Sequence, residues 1–275
     1  EMPTYCHTAV LMKLDEGNKR KLSKRKDPEL SLDYYRQEGY HPQAVKEYLL
    51  TILNSNFEEW RIENPDAPID DFKFTTEKMS SGGALFDLNK LNDISKDVLV
   101  KIPAAELTKF MTEWAREFAP EKLPLFEGHE EYIGKILDLG RDGNKPRKDL
   151  VYAKQILEFI SYFFDDYFKI EDTIPENVSD EDAVAILIKY LETYDHSDDQ
   201  SQWFDKVREI GTEMGYAAKP KDFKKNPDDY KGHVGHVSTV IRIALMGRSQ
   251  SPDIWEIQQI LGEERTRERI SALIV

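Results

Sequence analysis

Positive charge is concentrated near the start of the chain. Residues 17–27 read GNKRKLSKRKD, and six of the eight positions from Lys19 to Lys26 are lysine or arginine. Ammonium and guanidinium groups on flexible side chains suit contacts with a polyphosphate or with a nucleic-acid backbone. A solvated surface loop would have the same composition, so charge alone leaves both interpretations open.

Histidine and aspartate pairs could also carry chemistry. The run HVGH at 233–236 has the residue types of a nucleotide motif or a metal pair. Two histidines without a nearby cysteine or a third histidine leave a metal shell incomplete, and the interpretation we prefer is the start of a helix. The adjacent acids at 165–166 and 198–199 lie at predicted helix edges, which in so acidic a chain favours solvated surface over metal or acid–base chemistry.

Further cations and aromatic rings are candidates for contact with RNA. Unpaired bases are read by stacking and by arginine or lysine contacts to base edges. Arg141, Arg147 and Lys148 precede a predicted helix and have the right charge. Arg248 fits either RNA contact or a structural role that ties helix ends together. The aromatic run from Tyr162 to Phe168 is predicted to be core, with one or two rings available for base stacking.

Composition limits the class of protein. Of the 275 residues, 40% are apolar and 33% are charged, which is typical of a globular protein with a highly charged surface. The net charge of −14 argues against non-specific coating of nucleic acid. Local contact with phosphates stays open, because screening acts over about 10 Å. Cys6 is the only cysteine, which predicts a reducing cytoplasm. A start at Glu1 rather than Met leads us to expect a processed or excised piece.

Hydrophobic periodicity predicts the elements that must position these residues. One short strand is predicted at residues 9–14, and the pattern after Asp27-Pro28 is helical almost throughout. Pro42 suits a first helical position, and Ser179 begins a capping-box-like sequence. The predicted fold is all-α, mainly helical, with a short β element at the start. The helices are predicted at 42–53, 103–118, 150–164, from 179, at 199–214, and from 237 to the end.

The order of residues in the cationic run adds a resemblance. Residues 21–25 read KLSKR, which resembles the KMSKS loop of class I aminoacyl-tRNA synthetases in the form typical of glutamyl-tRNA synthetases. Pro3 and His7, ahead of an apolar strand, resemble the approach to that loop. Later segments resemble the same family in the same order: SLDYYRQEGY at 31–40, GGALFDLNKLN at 82–92, VIRIALMGR at 240–248 and LG at 261–262.

The resemblance implies the carboxy-terminal part of a glutamyl-tRNA synthetase. In the intact enzyme it implies ATP with Mg²⁺, glutamate and tRNA(Glu) as ligands, with no metal bound by this part. The loop residues are then Lys21, Ser23, Lys24 and Arg25, and Lys24 is expected to contact the ATP phosphates. A positioned cation stabilises the negative charge that develops on leaving pyrophosphate.

The resemblance also implies an arrangement of parts. Residues 1–30 would be the tail of the catalytic Rossmann domain with the KMSKS-type loop, and 31–100 a helical stem-contact domain. Residues 101–178 and 179–275 would be two helical subdomains of an anticodon-binding bundle. The family reads the anticodon with an arginine near a helix start, a role that the resemblance gives to Arg147.

Two departures from the family pattern matter. The loop continues as Lys26-Asp27 where relatives often have His-Gly. The family's HIGH element, which holds ATP, is not in the chain, so the chain alone is expected to be inactive. The alternatives are a non-catalytic tRNA-binding module, an enzyme that also charges tRNA(Gln), and a helical protein-interaction domain. We further expect a cytoplasmic monomer without a membrane segment.

Overall fold

The computed structural model describes Tyr5, residues 7–79 and residues 82–274. Pro3 and Cys6, on which two of the sequence interpretations depend, lie outside the described residues. The chain divides into two compact units. The first is Glu1–Leu123 with Lys148–Leu157, and the second is Pro124–Arg147 with Glu158–Val275. The four-part arrangement expected from the sequence stays a prediction.

A small sheet begins the first unit. A tight turn joins β1 (Leu11–Asp15) to β2 (Asn18–Lys21), and both of its residues have positive φ, 49° at Glu16 and 82° at Gly17. Two such residues are what a two-residue hairpin needs to match strand twist. A third strand, β3 (Ala84–Leu85), completes the sheet, and the strands lie in the order β2-β1-β3. Strand β1 is antiparallel to β2 and parallel to β3.

Helices follow the hairpin in the first unit. Ser31 accepts a hydrogen bond from Asp33 N–H and caps the first helix, and Pro42 occupies the first turn of the second as predicted. A core cluster joins this helical part to the sheet; it comprises Leu22, Tyr40, Tyr48, Phe86, Leu91 and Val151. The helices are α1 (Leu32–Glu38), α2 (Pro42–Leu53), α3 (Phe57–Glu63), α4 (Leu88–Leu99) and α5 (Ala104–Phe118).

The segment Lys148–Leu157 returns to the first unit after an excursion of the chain into the second. Ala153 N–H donates to the carbonyl of Gly39 at 2.8 Å, and the Ser95 hydroxyl donates to the carbonyl of Val151 at 2.6 Å. Gly39 ends α1 with φ 82°, and a Cβ there would overlap Ala153 and lie 2.8 Å from Trp114 Nε1. Close backbone approach therefore requires glycine at this position.

The remaining helices complete the chain. The helix predicted at 150–164 is shorter, since the residues just before Ala153 are not helical and those after Ser161 form turns. Asp199 and Gln202 form a reciprocal capping box at α9. The helices are α6 (Glu130–Asp138), α7 (Ala153–Ser161), α8 (Asp180–Thr193), α9 (Gln200–Glu213), α10 (Pro220–Lys225), α11 (Val234–Met246), α12 (Ile254–Leu261) and α13 (Glu263–Ser271).

The core of the second unit is built from α8, α9, α11 and α13. Tyr162 and Phe163 are buried, which confirms the core prediction for these two rings. The guanidinium of Arg269, only 5% exposed, pairs with Asp165 at 2.8 Å and lies 4.0 Å from the ring of Phe168. Asp165 itself is 56% exposed, as expected for a surface residue, and it also serves as the ion-pair partner of Arg269.

The predicted fold class is confirmed, because the described residues are mainly helical with a small sheet, two of whose three strands lie near the start of the chain. A correction applies to the cationic run, whose residues from Lys19 to Lys21 lie in β2 rather than in a loop. Among the described residues, no helix combines the length and apolar character needed to cross a membrane.

Candidate functional site

The KLSKR run begins on a strand and ends in a tight turn. Lys21 is the last residue of β2 and is paired with Met12. Leu22 is buried, and its N–H donates to the carbonyl of Leu11 at 3.0 Å, which anchors the run to β1. The carbonyl of Ser23 then accepts hydrogen bonds from the N–H groups of the two residues that close the turn, Lys26 at 3.0 Å and Asp27 at 2.9 Å.

Asp27 holds this turn closed. Its carboxylate is 1% exposed and accepts two hydrogen bonds of 2.7 Å from the Arg20 guanidinium. It also accepts the Ser23 N–H at 2.8 Å, and the ammonium of Lys13 lies 3.8 Å away. The hydrogen bonds from Arg20 and then from Ser23 lower the pKa of Asp27 well below its usual range. The Lys26-Asp27 departure from the family pattern therefore has a defined structural role.

The cations of the run divide into two groups. Arg20 is neutralised by Asp27 and by Asp15, whose carboxylate accepts from its Nε at 2.5 Å. The hydrogen bond to Asp27 has the largest effect on the pKa of Arg20, and it and the hydrogen bond to Asp15 both raise it. The other five, Lys19, Lys21, Lys24, Arg25 and Lys26, are exposed, and none of their side chains has a carboxylate within 4.0 Å in the part of the chain that the structure describes. Of these, Lys24 and Arg25 are the two central residues of the turn that the bond from Lys26 N–H to the Ser23 carbonyl closes. Their charge is available to an anion.

Arg141 and Arg147 lie at the two ends of one loop after α6. Gly140, with φ 64°, accepts the Arg147 N–H through its carbonyl at 2.6 Å, and Arg141 N–H donates to the carbonyl of Asp138 at 3.0 Å. The Arg147 guanidinium lies 4.8 Å from the centre of the Phe159 ring. Burial lowers the pKa of Arg141. The loop therefore holds two arginines at its base, both half-buried.

Lys148 does not share this environment. It belongs to the first compact unit, whereas Arg147 belongs to the second. The Lys148 ammonium pairs with Asp97 of α4 at 2.7 Å. The structure therefore does not group Lys148 with the two arginines beside which the sequence placed it.

Arg248 is surrounded by acidic and aromatic partners. Its guanidinium donates to Glu171 at 3.0 Å and to Glu158 at 2.8 Å, and it lies 4.1 Å from the centre of the Tyr162 ring. Burial alone would lower the pKa of Arg248, but the hydrogen bonds to Glu158 and Glu171 raise it overall. The contacts tie Arg248 to Glu158 and Tyr162, near the end of α7, and to Glu171.

The HVGH segment starts α11, as the sequence interpretation preferred. His233 is the N-cap residue, and its Nδ1 accepts the Gly235 N–H at 3.0 Å. His236 Nδ1 in turn accepts the His233 N–H at 3.1 Å. Among the described residues, no group of three or more histidine, cysteine, aspartate or glutamate side chains is arranged to hold a metal ion.

Sequence reasoning missed Arg20 and Asp27 as the pair that shapes the turn. Arg20 was counted only as one more cation, and Asp27 only as a departure from the family. The signal that could have found them is an acid placed directly after the run, seven residues from an arginine. In a chain so rich in lysine at this point, such an acid predicts a specific partner.

Comparison with known proteins places the helical part in a family. Residues 106–274 match the family model described as an anticodon binding domain. The chain belongs to the anticodon-binding domain family. The matched range contains all four cations proposed above for RNA contact, Arg141, Arg147, Lys148 and Arg248, whereas the KLSKR turn lies outside it.

Curated relatives of this anticodon-binding domain protein cover the turn as well. The chain is 66% identical over 274 residues to the glutamate–tRNA ligase of Acetivibrio thermocellus, a match that covers 100% of this chain and 50% of that protein. It is 44% identical over 274 residues to the glutamate–tRNA ligase of Clostridium perfringens strain 13, covering 98% of this chain and 50% of that protein. The chain thus spans about half the length of the curated relatives it matches, and the predicted resemblance is confirmed.

A solved structure supports the fold. A glutamate tRNA ligase from Elizabethkingia meningosepticum, crystallised in complex with its amino acid, superposes with a TM-score of 0.62. The superposition covers 100% of this chain and 52% of that chain. At 18% sequence identity the similarity shows a shared fold alone.

Proposed function

We propose that the chain is the carboxy-terminal half of a glutamate–tRNA ligase. Its anticodon-binding part would bind tRNA(Glu), and the KLSKR turn would contact ATP phosphates while glutamate is activated. The observation that carries the proposal is the turn itself. Asp27 neutralises Arg20 and fixes the turn, and Lys24 and Arg25 are left exposed without a carboxylate partner in the described chain.

Each loop residue has a defined part in this proposal. The Lys24 ammonium would lie against the phosphates and stabilise the charge on leaving pyrophosphate, and Arg25 would add a second cation. Ser23 would act through its backbone, since its N–H donates to the Asp27 carboxylate and its carbonyl accepts the N–H groups that close the turn. Lys21 would contribute charge from the end of β2. Mg²⁺ accompanies ATP in such reactions and neutralises phosphate charge; we assign it no ligand in this chain.

For the anticodon we propose contacts by Arg147 and Arg141. Guanidinium groups form two parallel hydrogen bonds with base edges, which a lysine cannot match. We propose a structural role for Arg248, because two carboxylates and a tyrosine ring already occupy its guanidinium. Lys148, which pairs with Asp97, would contribute charge near the RNA rather than base reading. The cytoplasm, predicted from a single cysteine, remains part of the proposal.

The proposal is tested in a protein that also contains the other half. Lys24→Ala should lower the rate of glutamate- and tRNA-dependent ATP–pyrophosphate exchange by roughly 100-fold or more, as expected for loss of a cation that stabilises transition-state charge. Lys19→Ala is the matched control, since Lys19 is an exposed lysine on β2, outside the turn. It should change the rate by less than about threefold, because no phosphate contact is assigned to it.

Three results would contradict the assignment. Equal rates for the Lys24→Ala protein and the wild type would remove the turn from catalysis. Exchange activity in the present chain alone would contradict the claim that the other half is needed. If the two-half protein binds tRNA(Glu) in preference to a non-cognate tRNA but catalyses no exchange, the non-catalytic binding module replaces the ligase.

A further inference from the structure

A second set of cations lies on the short helix α10. Lys219, Lys221, Lys224 and Lys225 are all exposed. In the part of the chain that is described, none of their ammonium groups has a carboxylate within 4.0 Å. Other lysines of the same unit do have such partners: Lys135, Lys169, Lys189, Lys206 and Lys231. These four lysines, which we call the α10 lysine patch, therefore have no ion-pair partner among the described residues.

Packing fixes the patch in position. The Phe223 ring lies 5.8 Å from the ring of His233 and 6.1 Å from that of His236, so this side of α10 rests on the start of α11. The segment before α10 is tied to the same place, because Ala217 N–H donates to the carbonyl of Gly232 and Ala217 accepts the Val234 N–H, both at 2.9 Å. The lysines are thus presented by a positioned element rather than by a loose loop.

The charge arrangement is unfavourable without an anion. Residues 219–225 hold four lysines against one aspartate, Asp222, in a chain whose net charge is −14. Lys221 and Lys225 are four residues apart on one helix face, where like charges repel. Lys219 and Lys221 lie at the start of α10, where the helix dipole disfavours positive charge, whereas Lys224 and Lys225 lie in its last turn, where the dipole favours it. A polyanion that contacts several of these groups at once would remove both penalties.

We propose that the α10 lysine patch is a contact surface for the phosphate backbone of RNA. The proposal rests on the proposed function, in which the RNA is a tRNA. RNA is favoured over an acidic protein because α10 lies within the range matched by the anticodon-binding domain model. Lysine ammonium groups act as mobile point charges on phosphates and read no base sequence. The patch therefore contributes affinity and salt dependence, while discrimination between tRNAs comes from other residues.

The test measures tRNA binding by the full chain as a function of salt. The patch variant carries Lys221→Gln, Lys224→Gln and Lys225→Gln. The control variant carries Lys109→Gln, Lys135→Gln and Lys189→Gln, which removes the same charge from exposed lysines that have carboxylate partners. Dissociation constants for transcripts of tRNA(Glu) and of a non-cognate tRNA are measured between about 50 and 200 mM KCl, the range over which phosphate contacts dominate.

The patch variant should lose affinity for both transcripts, and the slope of log affinity against log salt should fall in magnitude by about 2 to 3, close to one per phosphate contact. The ratio of the two dissociation constants should not change. The control variant should keep the wild-type slope within about one. A fourth protein with arginine at the same three patch positions should restore the slope, which separates loss of charge from loss of structure.

The outcomes separate the two proposals. A patch variant with the wild-type slope overturns the RNA surface, whether or not tRNA(Glu) is preferred, and would leave an acidic protein as the partner to seek. A reduced slope in a chain that does not prefer tRNA(Glu) supports the surface and overturns specific anticodon reading. Absence of binding to either transcript by the wild-type chain overturns both.

Discussion

Asp27 accepts hydrogen bonds from the Arg20 guanidinium and from the Ser23 N–H, and these contacts connect strand β2 to the far end of the cationic turn. The same carboxylate thus performs two tasks. It cancels one positive charge of the run, and it fixes the backbone that presents Lys24 and Arg25 to solvent. Charge-assisted hydrogen bonds to a buried carboxylate are stronger than bonds between neutral groups.

Replacing Asp27 by asparagine tests this dual task. Asp27→Asn keeps the size of the side chain but removes the negative charge to which Arg20 and the Ser23 N–H donate hydrogen bonds. The Ser23 amide should exchange its hydrogen at least about tenfold faster, because a bond to a charged acceptor is lost. Asp15→Asn is the control, since Asp15 is exposed and touches the same guanidinium only through Nε. Equal exchange at Ser23 in the two variants, measured by NMR, would contradict the role of Asp27.

The sequence predicted the cationic run and its likeness to a known loop, because residue type and spacing carry that information. It could not predict which cations are neutralised. Arg20 and Asp27 are seven residues apart and meet because the chain turns back after Ser23, whose carbonyl accepts the Lys26 and Asp27 N–H groups. Arg147 and Lys148 show the same limit, since neighbours in sequence belong to different compact units.

At the scale of the element, the start of α11 depends on two neutral imidazoles. His233 Nδ1 and His236 Nδ1 both accept backbone N–H groups, so each must carry its proton on Nε2. Asn177 Nδ2 also lies 2.7 Å from His236 Nδ1. Burial lowers the pKa of both histidines, and the neighbouring His233 lowers that of His236 further. The folded chain therefore favours the uncharged forms.

The stability of the chain should consequently fall in mildly acidic solution. A pKa lowered on folding gives stability that is complete above the ordinary value of about 6.5 and is lost as the pH falls through the folded value. In urea unfolding, the decrease in stability between pH 7 and pH 5 should be smaller for the double variant His233→Asn, His236→Gln, whose side chains cannot take up the proton. Identical dependence in wild type and double variant would show that the cap does not titrate.

Helices were more predictable than strands. The predicted helices at 42–53 and 103–118 agree with α2 and α5 to within a residue, because Pro42 and a regular apolar stripe mark them. β2 was missed, since a strand of Asn18, Lys19, Arg20 and Lys21 has no apolar alternation and is stabilised by pairing with β1. Strand formation of that kind depends on a neighbour rather than on local pattern.

At the scale of the whole molecule, the chain enters the second unit at Pro124, returns to the first at Lys148 and leaves it again after Leu157. Nothing in the local sequence of this return segment marks it as part of the first unit. Its membership depends on contacts with Gly39 and Ser95, which are more than 50 residues away along the chain.

Gly39→Ala tests the return segment. The substitution places a Cβ against Ala153 and Trp114 at a positive φ, and both effects should together lower the free energy of unfolding by about 2–4 kcal/mol. Hydrogen exchange followed by mass spectrometry should show lost protection in α1 and α2 but not in α8 and α9.

Gly128→Ala is the matched control for backbone strain. Gly128 has φ 81° and no atom within 4 Å of the added Cβ, so only the conformational cost of about 1 kcal/mol applies. Equal destabilisation by the two substitutions would show that close packing on the return segment contributes nothing.

The return segment also constrains how the protein is made. When Leu123 has left the ribosome, the first unit still lacks Val151 of its core cluster and the partner of the Gly39 carbonyl. At about 5–20 residues per second, the 34 residues from 124 to 157 take roughly 2–7 seconds to synthesise. During that interval the nascent first unit exposes part of its core, and residues 124–147 of the second unit emerge before the first is complete.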